Sequence, residues 1–409
     1  MTETETTREP STPKGRPGEV FAAFLKLGLT SFGGPIAHLG YFRDELVLRR
    51  RWLSEQAYAD LVALCQFLPG PASSQVGFAL GLMRAGWLGA LAAFTAFTLP
   101  SALILLAFAA GAASLSGPVG TGMIDGLKLV AVAIVAQAVW GMARTLCPDR
   151  ARATIALGAV ALLAILPGAS GMAGAIALGA LAGLGLGTPA PTGADPQRTG
   201  QTMPVSRRIG LIALATFLLL LVLLPLAAGL GQSFAVIDSF FRAGALVFGG
   251  GHVVLPLLQA EVVAPGWVSA DSFLAGYGAA QAVPGPLFTV AAYLGAVLGP
   301  GPNGLAGAAL ALGAIFLPGF LLLIGVLPFW DRFRQMARAQ RLMQGANAAV
   351  VGILGAALYD PVFTSAVQDM PDFALALGCF LALSLWKAPP WAVVLAAALG
   401  GAALSLAGL

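Results

Sequence analysis

The stretch FLKLGLTSFGG at residues 24–34 returns without a gap as FFRAGALVFGG at residues 240–250, 216 positions further along the chain. The matches that follow keep the same order: Lys26 with Arg242, Glu45 with Glu261, Gln66 with Gln281, and Pro69-Gly70-Pro71 with Pro284-Gly285-Pro286. Chance similarity between apolar helices would not hold cations, carboxylates, amides and a PGP motif in register. The chain therefore contains a duplicated unit, and the fold of one half predicts the fold of the other.

The composition of the chain places both repeats in lipid. Of the 409 residues, 58% are hydrophobic and only 10% are charged, whereas soluble domains carry about 25% charged residues. A chain this apolar cannot cover its surface with polar groups, which predicts an integral membrane protein whose main partner is the lipid bilayer. The net charge of +4 comes mainly from short arginine clusters beside apolar segments. Membrane topology explains such clusters, so nucleic-acid binding is not expected.

Enzyme motifs are missing from the sequence. There is no G-x-x-x-x-G-K-[ST] phosphate loop, no H-E-x-x-H and no G-x-S-x-G, so ATP hydrolysis, proteolysis and lipolysis are not expected. Cys65, Cys147 and Cys379 are scattered through apolar sequence, and the chain has two histidines. We therefore expect no disulfide, no metal site, no cofactor and no catalytic residues. A transporter fits these absences and the duplication better than an enzyme or an assembly scaffold.

The chain divides into five parts. These are a polar tail at 1–18, a first repeat at 19–187, a polar linker at 188–208, an extra membrane span at 209–231, and a second repeat at 232–409. The tail is rich in polar residues and proline and is expected to be disordered and cytoplasmic. Apolar segments of spanning length lie at 20–40, 57–83, 86–112, 123–146, 153–168 and 170–187, and again at 234–259, 271–298, 303–330, 342–360, 373–387 and 389–409. The fold class expected is an all-α membrane protein with about six membrane segments per repeat.

The extra span predicts that the second repeat is inverted. Seven segments separate equivalent positions, an odd number, so the second repeat enters the membrane from the opposite side, as in many secondary transporters. With the N-terminus in the cytoplasm, the arginines at 49–51 would lie outside if segment 20–40 crosses fully, against the positive-inside rule. Two alternatives remain open. The leading segments either cross as Gly/Pro-broken helices, with this cluster as an exception, or re-enter as hairpins that keep the cluster inside.

Four interruptions, two in each repeat, are the main candidates for a binding site. They are Gly33-Gly34-Pro35 and Pro69-Gly70-Pro71 in the first repeat, and Gly249-Gly250 and Pro284-Gly285-Pro286 in the second. Glycine and proline break the helical hydrogen-bond ladder, and a half-helix that begins after a break points free N–H groups at it. A single break is most simply a kink. Two breaks duplicated in register favour an anion-binding site at mid-membrane depth.

Charged side chains inside the leading segments are further candidates. Lys26 and Arg242 share one repeat position before the FGG motif, and a cation inside an apolar segment is costly enough to suggest a function. Paired cations at equivalent positions would attract a dianion, while the alternative is that Lys26 snorkels to the interface. Glu45 and Glu261 also match, and a solvated structural role is expected for them.

Imidazole and amide side chains lie next to the breaks. His38 and His252 follow the two FGG motifs, and histidine carries a proton near neutral pH, which suits coupling to a proton gradient. The alternative is a structural histidine bonded to backbone near the break. Gln66 and Gln281 each precede PGP by three residues and would either donate to substrate or cap freed carbonyls.

At these motifs the sequence resembles the chromate ion transporter (CHR) family, specifically its long members with two domains. The stretches that carry the resemblance are LGLTSFGGPIAHLGYFRDELV, WLSEQAYADLVALCQFLPGP, FFRAGALVFGGGHVVLPLL and AAQAVPGP. They lie in both halves, over about residues 20–360. The resemblance implies export of chromate across the bacterial inner membrane, driven by the proton motive force, and hence chromate resistance. Sulfate or another small oxyanion is the alternative substrate, since it is a structural analogue of chromate.

The resemblance also assigns motif residues and protons as the coupling ion. The apolar segments predict a multi-pass protein, and the Arg/Lys-rich loops at 144–152, 198–208 and 332–341 favour a cytoplasmic N-terminus. The chain is compatible with a homodimer. Carried onto this sequence, the motif residues are Phe32, Gly33, Gly34, Pro35, His38, Gln66, Pro69, Gly70 and Pro71, with Phe248, Gly249, Gly250, His252, Gln281, Pro284, Gly285 and Pro286 in the second half. Together with Lys26 and Arg242 they form the expected substrate-binding set. The second FGG is followed by Gly251 in place of proline, which predicts unequal contributions from the two halves.

Overall fold

The computed structural model describes residues 15–112, 117–187, 205–333 and 336–408, and these residues are helical or lie in short connections. The helices are α1 (Pro17–Thr30), α2 (Gly34–Phe42), α3 (Glu55–Phe67), α4 (Ala72–Ala112), α5 (Gly117–Leu146), α6 (Arg150–Ile165), α7 (Ala169–Gly183), α8 (Arg207–Ala227), α9 (Gln232–Ala245), α10 (Val254–Val262), α11 (Ala270–Ala282), α12 (Val290–Ala296), α13 (Gly304–Val326), α14 (Trp330–Phe333), α15 (Ala337–Ala357), α16 (Thr364–Ala366), α17 (Met370–Ser384) and α18 (Pro390–Ala407). Residues 1–14 of the predicted tail (1–18) and residues 188–204 of the predicted linker (188–208) lie outside the described residues.

The first leading segment is a hairpin whose two stems are α1 and α2 with its π-helical extension, Arg43–Arg49. Lys26 Nζ donates to Glu45 Oε2 at 2.7 Å, although 19 residues separate them. A straight helix would hold these positions about 28 Å apart at 1.5 Å per residue. The chain therefore reverses at the FGG break, and of the two alternatives the structure has the re-entrant hairpin.

A second hairpin follows directly. Its stems are α3 and the first arm of α4, residues 72–84, and the PGP motif forms its tip. Trp52 just before α3 and Arg84 at the end of the arm both donate to Glu19 Oε1, at 3.2 and 3.1 Å. Both hairpins thus begin and end at one side of the molecule, the first face, which also carries Arg50.

Both hairpins recur in the second repeat. α9 and α10 form one, where Arg242 Nε lies 3.4 Å from Glu261 Oε1. α11 and α12 form the other, where the Tyr293 hydroxyl donates to the Ser272 carbonyl at 3.1 Å. Their outer ends meet at the second face, where Gly299 N–H donates to the Trp267 carbonyl at 2.7 Å.

Longer helices carry the chain between the two faces. Ala85 and Gly86 have non-helical backbone angles, so α4 turns sharply there and its second arm, residues 87–112, runs back beside α1. The second arm of α4, then α5, α6, α7 and α8, make five passes in alternate directions. Because five is odd, α9 begins at the face opposite α1, and the second repeat is inverted relative to the first.

The two repeats exchange their last helices. α5 of the first repeat packs against α17 and α18 of the second, while α15, its equivalent in the second repeat, packs against α6 and α7 of the first. Small residues allow the close approach: there is no room for a Cβ on Gly126 against the Ala397 carbonyl, or on Gly345 against the Gly179 carbonyl. The halves are therefore intertwined rather than side by side.

Six helices in the described residues are long and apolar enough to cross a membrane. The predicted fold class, an all-α membrane protein with two repeats, is confirmed. They are Ala72–Ala112, Gly117–Leu146, Arg207–Leu230, Gly304–Phe329, Ala337–Ala366 and Pro390–Ala407. The predicted segments 20–40, 57–83, 234–259 and 271–298 each contain a chain reversal. They were expected to be of spanning length because their composition is apolar throughout, but glycine and proline at the tip divide each into two short stems.

Candidate substrate site

The four hairpin tips meet in the middle of the molecule, each tip of one repeat against a tip of the other. Gly70 N–H donates to the Val247 carbonyl at 2.8 Å, and Gly285 N–H donates to the Ser31 carbonyl at 2.9 Å. These two hydrogen bonds are repeat equivalents, because Gly285 corresponds to Gly70 and Val247 to Ser31. The bonds relate the two halves by a pseudo-two-fold axis.

The axis passes beside the FGG motifs. A Cβ built on Gly251 would lie 3.2 Å from Pro35 Cγ, and these two positions are themselves repeat equivalents. The sequence difference at this point, proline in one half and glycine in the other, therefore lies where the two halves touch. A second proline would not fit the same space, which explains why only one half has it.

Left-handed backbone at the tips requires glycine. Gly70 and Gly285 have φ angles of +121° and +102°, a region that residues with a Cβ rarely adopt. At Gly70 a Cβ would also lie 3.0 Å from the Cα of Gly319. The first PGP motif is thus determined both by its turn and by contact with α13.

Half-helices begin at the tips and point their N-termini inward. α2 begins at Gly34, directly after Gly33, which has a φ of +94°. The first arm of α4 begins at Ala72, and Gln75 N–H donates to the Pro71 carbonyl at 2.9 Å. The N–H groups before Gln75 have no acceptor within the helix. An inward helix start of this kind favours a bound anion.

The cations predicted for substrate binding lie in the hairpin stems and are paired with carboxylates. Glu45 accepts from Lys26, from Arg49 at 3.0 Å and from Arg50 at 2.8 Å. In the second repeat, Arg242 is paired with Asp238 and with Glu261. A cation–glutamate pair is therefore present in both halves. The alignment of the two halves matched these residues but did not indicate that the cation and the glutamate are in contact. A direct role of Lys26 and Arg242 in substrate binding stays a prediction.

The two predicted histidines lie close to the tips in different surroundings. His38 is 1% exposed, its Nδ1 lies 3.3 Å from Ser73 Oγ, and its ring packs edge-on against Phe97. His252 is half-buried, with Nδ1 2.8 Å from the Tyr277 hydroxyl. Each imidazole thus shares a hydrogen bond with a hydroxyl group, and a role of either histidine in proton coupling stays a prediction.

The remaining predicted residues fall into two groups. Those that the structure brings together at the tips are Phe32, Gly33, Gly34, Pro35, Pro69, Gly70, Pro71, Phe248, Gly249, Gly250, Pro284, Gly285 and Pro286. Gln66 and Gln281 lie in the stems about one turn before the PGP motifs, the first exposed and the second half-buried.

Sequence reasoning missed a group of buried polar side chains in the first repeat. Gln75 is fully buried, and its Nε2 donates to the Gly319 carbonyl at 2.8 Å and to the Pro69 carbonyl at 3.1 Å. The buried hydroxyl residues are Ser31, Ser73, Ser74, Thr98 and Ser101. The sequence PASSQ after the first PGP motif contains three of these polar residues, but a search for duplicated positions passes over them because the second repeat differs there.

Within the described ranges, no group of three or more His, Cys, Asp or Glu side chains is placed to hold a metal ion. The polar groups at the tips are hydroxyls, amides and backbone N–H groups. Such groups suit an oxyanion better than a cation, because most of them can donate hydrogen bonds without carrying a negative charge.

Comparison with known proteins supports this interpretation. The family described as "Chromate transporter" matches residues 18–184 and again residues 234–402. The two matches coincide with the two repeats, and together they cover most of the chain. No solved structure matches the chain.

Curated relatives match over nearly their whole length. The chromate transport protein of Pseudomonas aeruginosa is 29% identical over 97% of this chain and 95% of its own. The probable chromate transport protein of Synechococcus elongatus is 28% identical over 89% and 88%, respectively. The chromate transport protein of Cupriavidus metallidurans is 27% identical over 87% and 84%. Each of these alignments is long enough to include both repeats of this chain.

Proposed function

Because the chain belongs to the chromate transporter family, we propose that it exports chromate from the cytoplasm across the bacterial inner membrane, using the proton motive force. Family membership supports a role in chromate transport. The observation that carries a transport mechanism is the meeting of four hairpin tips, two from each side of the membrane, at one central point. A substrate released from that point has a path towards either face, as alternating access requires.

Charge placement supports a cytoplasmic first face. Residues on or next to this face include Arg49, Arg50, Arg51, Arg84, Arg144, Arg150, Arg152, Arg207, Arg208, Arg338, Arg341 and Lys387. At the second face Lys128 is paired with Asp125 and Asp271. Asp360 and Asp369 lie between α15 and α17, and Asp372 lies in the first turn of α17. The positive-inside rule then orients the N-terminus to the cytoplasm.

Substrate recognition in this proposal uses the FGG and PGP tips. Inward helix starts stabilise the two negative charges of a tetrahedral dianion at mid-membrane depth. Lys26 and Arg242 lie in the stems, where an entering dianion would compete with the carboxylates paired with them, Glu45 in the first repeat and Asp238 and Glu261 in the second. His38 and His252 are the candidates for proton coupling, since each shares a hydrogen bond with a hydroxyl group beside a tip.

Flux into inverted membrane vesicles tests the proposal. Wild-type vesicles energised with a proton gradient are expected to accumulate chromate, and an uncoupler is expected to abolish the accumulation. Lys26→Ala and Arg242→Ala are expected to reduce the rate without removing the protein from the membrane. Flux that survives both substitutions would leave these cations as structural partners of Glu45 and Glu261. Accumulation of sulfate but not chromate would identify sulfate as the substrate in place of chromate. Accumulation of neither anion would contradict the proposed function.

A further inference from the structure

Three buried hydroxyl groups near the tips distinguish the first repeat from the second. Ser31, Ser74 and Thr98 are 0%, 3% and 2% exposed, respectively. Their repeat equivalents are Val247, Thr289 and Phe316. The second repeat therefore replaces two of the three hydroxyls by apolar side chains at the same depth, while the tips around them are conserved in both halves.

The three oxygen atoms lack hydrogen-bond partners in the part of the chain that the structure describes. They are Ser31 Oγ, Ser74 Oγ and Thr98 Oγ1. A buried hydroxyl without a partner costs free energy, so native proteins rarely keep one without a reason.

Thr98 makes this clearest. A threonine in a helix normally donates to the carbonyl four residues back, as Thr30, Thr121 and Thr145 do here at 2.8, 3.0 and 3.0 Å. Thr98 lies in the second arm of α4 and makes no such bond. Its hydroxyl is thus left available in the interior of the protein.

The segments that carry these hydroxyls meet around the tip of the fourth hairpin, which is formed by α11 and α12. Gly285 N–H donates to the Ser31 carbonyl, and a Cβ on Gly285 would lie 3.2 Å from the Phe97 carbonyl, next to Thr98. The ring of Phe97 packs against His38. His38 in turn contacts Ser73, the neighbour of Ser74.

Backbone donors accompany these side chains. Ser74 is the third residue of the first arm of α4, a helix start whose initial N–H groups have no acceptor within the helix. Hydroxyl and backbone donors together suit a tetrahedral oxyanion, because it offers acceptors in several directions. Neutral donors also hold a dianion without adding a fixed cation, which allows it to be released again.

We propose that Ser31, Ser74 and Thr98 supply the hydroxyl ligands of the transported oxyanion, so that these ligands come from the first repeat. This inference rests on the proposed function for the identity of the anion as chromate. It is independent of transport direction and of coupling to protons.

Binding of radiolabelled chromate to the purified full-length protein in lipid nanodiscs tests the inference, with unlabelled sulfate as competitor. Ser31→Ala, Ser74→Ala and Thr98→Val are each expected to weaken chromate binding about tenfold or more, as the loss of a hydrogen bond to a charged group does. The melting temperature of the ligand-free variants is expected to stay equal or rise, because each substitution removes an unsatisfied buried hydroxyl.

Thr289→Val is the matched control. Thr289 is the repeat equivalent of Ser74 and is equally buried, but its hydroxyl donates to the Pro286 carbonyl at 2.7 Å. This variant is expected to melt at a lower temperature and to bind chromate as the wild type does. A hydroxyl that binds the anion is recognised by a loss of chromate affinity without a fall in melting temperature. A structural hydroxyl shows a fall in melting temperature without a loss of affinity.

The outcomes distinguish the inference from the proposed function. Tight chromate binding by wild type and by all three hydroxyl variants would overturn the inference and leave the function standing. If the wild type binds sulfate but not chromate, and the hydroxyl variants lose sulfate binding, the hydroxyl site would be supported and chromate would be ruled out as the substrate. Variants that lose binding only together with a fall in melting temperature would assign the hydroxyls to structure and overturn the inference. No binding of either anion would overturn both.

Discussion

Glu45 is the residue that contributes most to the stability of the stem of the first hairpin. It is 7% exposed and accepts hydrogen bonds from Lys26, Arg49 and Arg50. Removing one partner of a buried ion pair leaves the other charges without compensation. Here the cost is reduced because Lys26 and Arg49 are 49% and 67% exposed and can be hydrated.

Glu45→Gln is therefore expected to lower the free energy of unfolding by about 1–2 kcal/mol, measured as a fall in melting temperature of the purified protein. Asp44→Asn is the control, because Asp44 is the exposed neighbouring carboxylate, and it should change the melting temperature little. Equal melting temperatures for both variants would contradict the role assigned to Glu45.

At the residue scale, duplication in the sequence predicted which positions matter better than it predicted what they do. The alignment identified Lys26, Arg242, Glu45 and Glu261 but interpreted the cations and the carboxylates separately. Their pairing depends on a chain reversal that no local pattern specifies. Ser31 and Thr98 could not be found in this way, because the signal used was similarity between the halves, and their equivalents Val247 and Phe316 carry no hydroxyl.

At the scale of the elements, the tips of the PGP hairpins are the most constrained backbone in the molecule. Gly70→Ala and Gly285→Ala each place a Cβ on left-handed backbone and against the other repeat. Strain of this kind costs about 1–3 kcal/mol, so both variants are expected to melt at a lower temperature and to lose chromate flux.

Gly378→Ala is the matched control for these tip variants. Gly378 lies inside α17, and a Cβ there meets nothing within 4 Å. The variant should be as stable as the wild type or slightly more stable, because alanine is the better helix former. A tip variant with the stability and flux of this control would show that the tips tolerate a side chain and would contradict the close packing between halves.

Cysteine labelling tests the hairpins independently of absolute orientation. In a background lacking Cys65, Cys147 and Cys379, Gly18→Cys and Arg51→Cys are expected to react with a membrane-impermeant thiol reagent from the same side. Tyr359→Cys, at an exposed position before the acidic residues of the second face, is expected to react from the other side only. Labelling of position 51 and position 18 from opposite sides would mean that the first segment crosses the membrane.

The sequence predicted the position of every tip but could not decide between a kinked crossing helix and a hairpin. A glycine–proline break is compatible with both, since it removes local hydrogen bonds without fixing the direction of the following stem. The decision comes from contacts 19 residues apart, Lys26 with Glu45 and Arg242 with Glu261. The positive-inside rule at 49–51 is consistent with the hairpin on independent grounds, but it left the crossing helix open as an exception.

At the scale of the whole molecule, the exchange of helices limits how the protein can move. Rigid-body rocking of one repeat against the other is one way in which an inverted-repeat transporter reaches alternating access. Because α5 packs on α17 and α18, and α15 packs on α6 and α7, such a motion would separate closely packed small-residue surfaces in both halves. The hairpins, joined across the centre by two backbone hydrogen bonds, are the better candidates for the moving parts.

Cutting the chain in the linker at 188–204 tests this exchange. Fragments that carry one repeat each are expected to be degraded when produced singly, because α5 or α15 then lacks its partner helices. Produced together, they are expected to co-purify and to restore chromate flux. The uncut chain with the same tags is the control for expression. Two fragments that are separately stable and do not associate would contradict the intertwined arrangement.

Little of α8 is covered by the rest of the protein, since only 17% of its most apolar stretch is buried. α8 adds one further membrane crossing between the two repeats. Without this crossing, both repeats would insert in the same orientation. Such a helix has to keep its length and its apolar character, while the identity of a side chain matters where α8 packs on the rest of the protein: Gly210 against Pro328, Leu214 against Gly325, and the buried Ala213. A saturation library at the exposed positions Leu211, Ile212, Leu218, Leu219, Val222 and Leu223 should therefore accept almost any apolar residue. An insertion or deletion that stops the helix from crossing should be rejected.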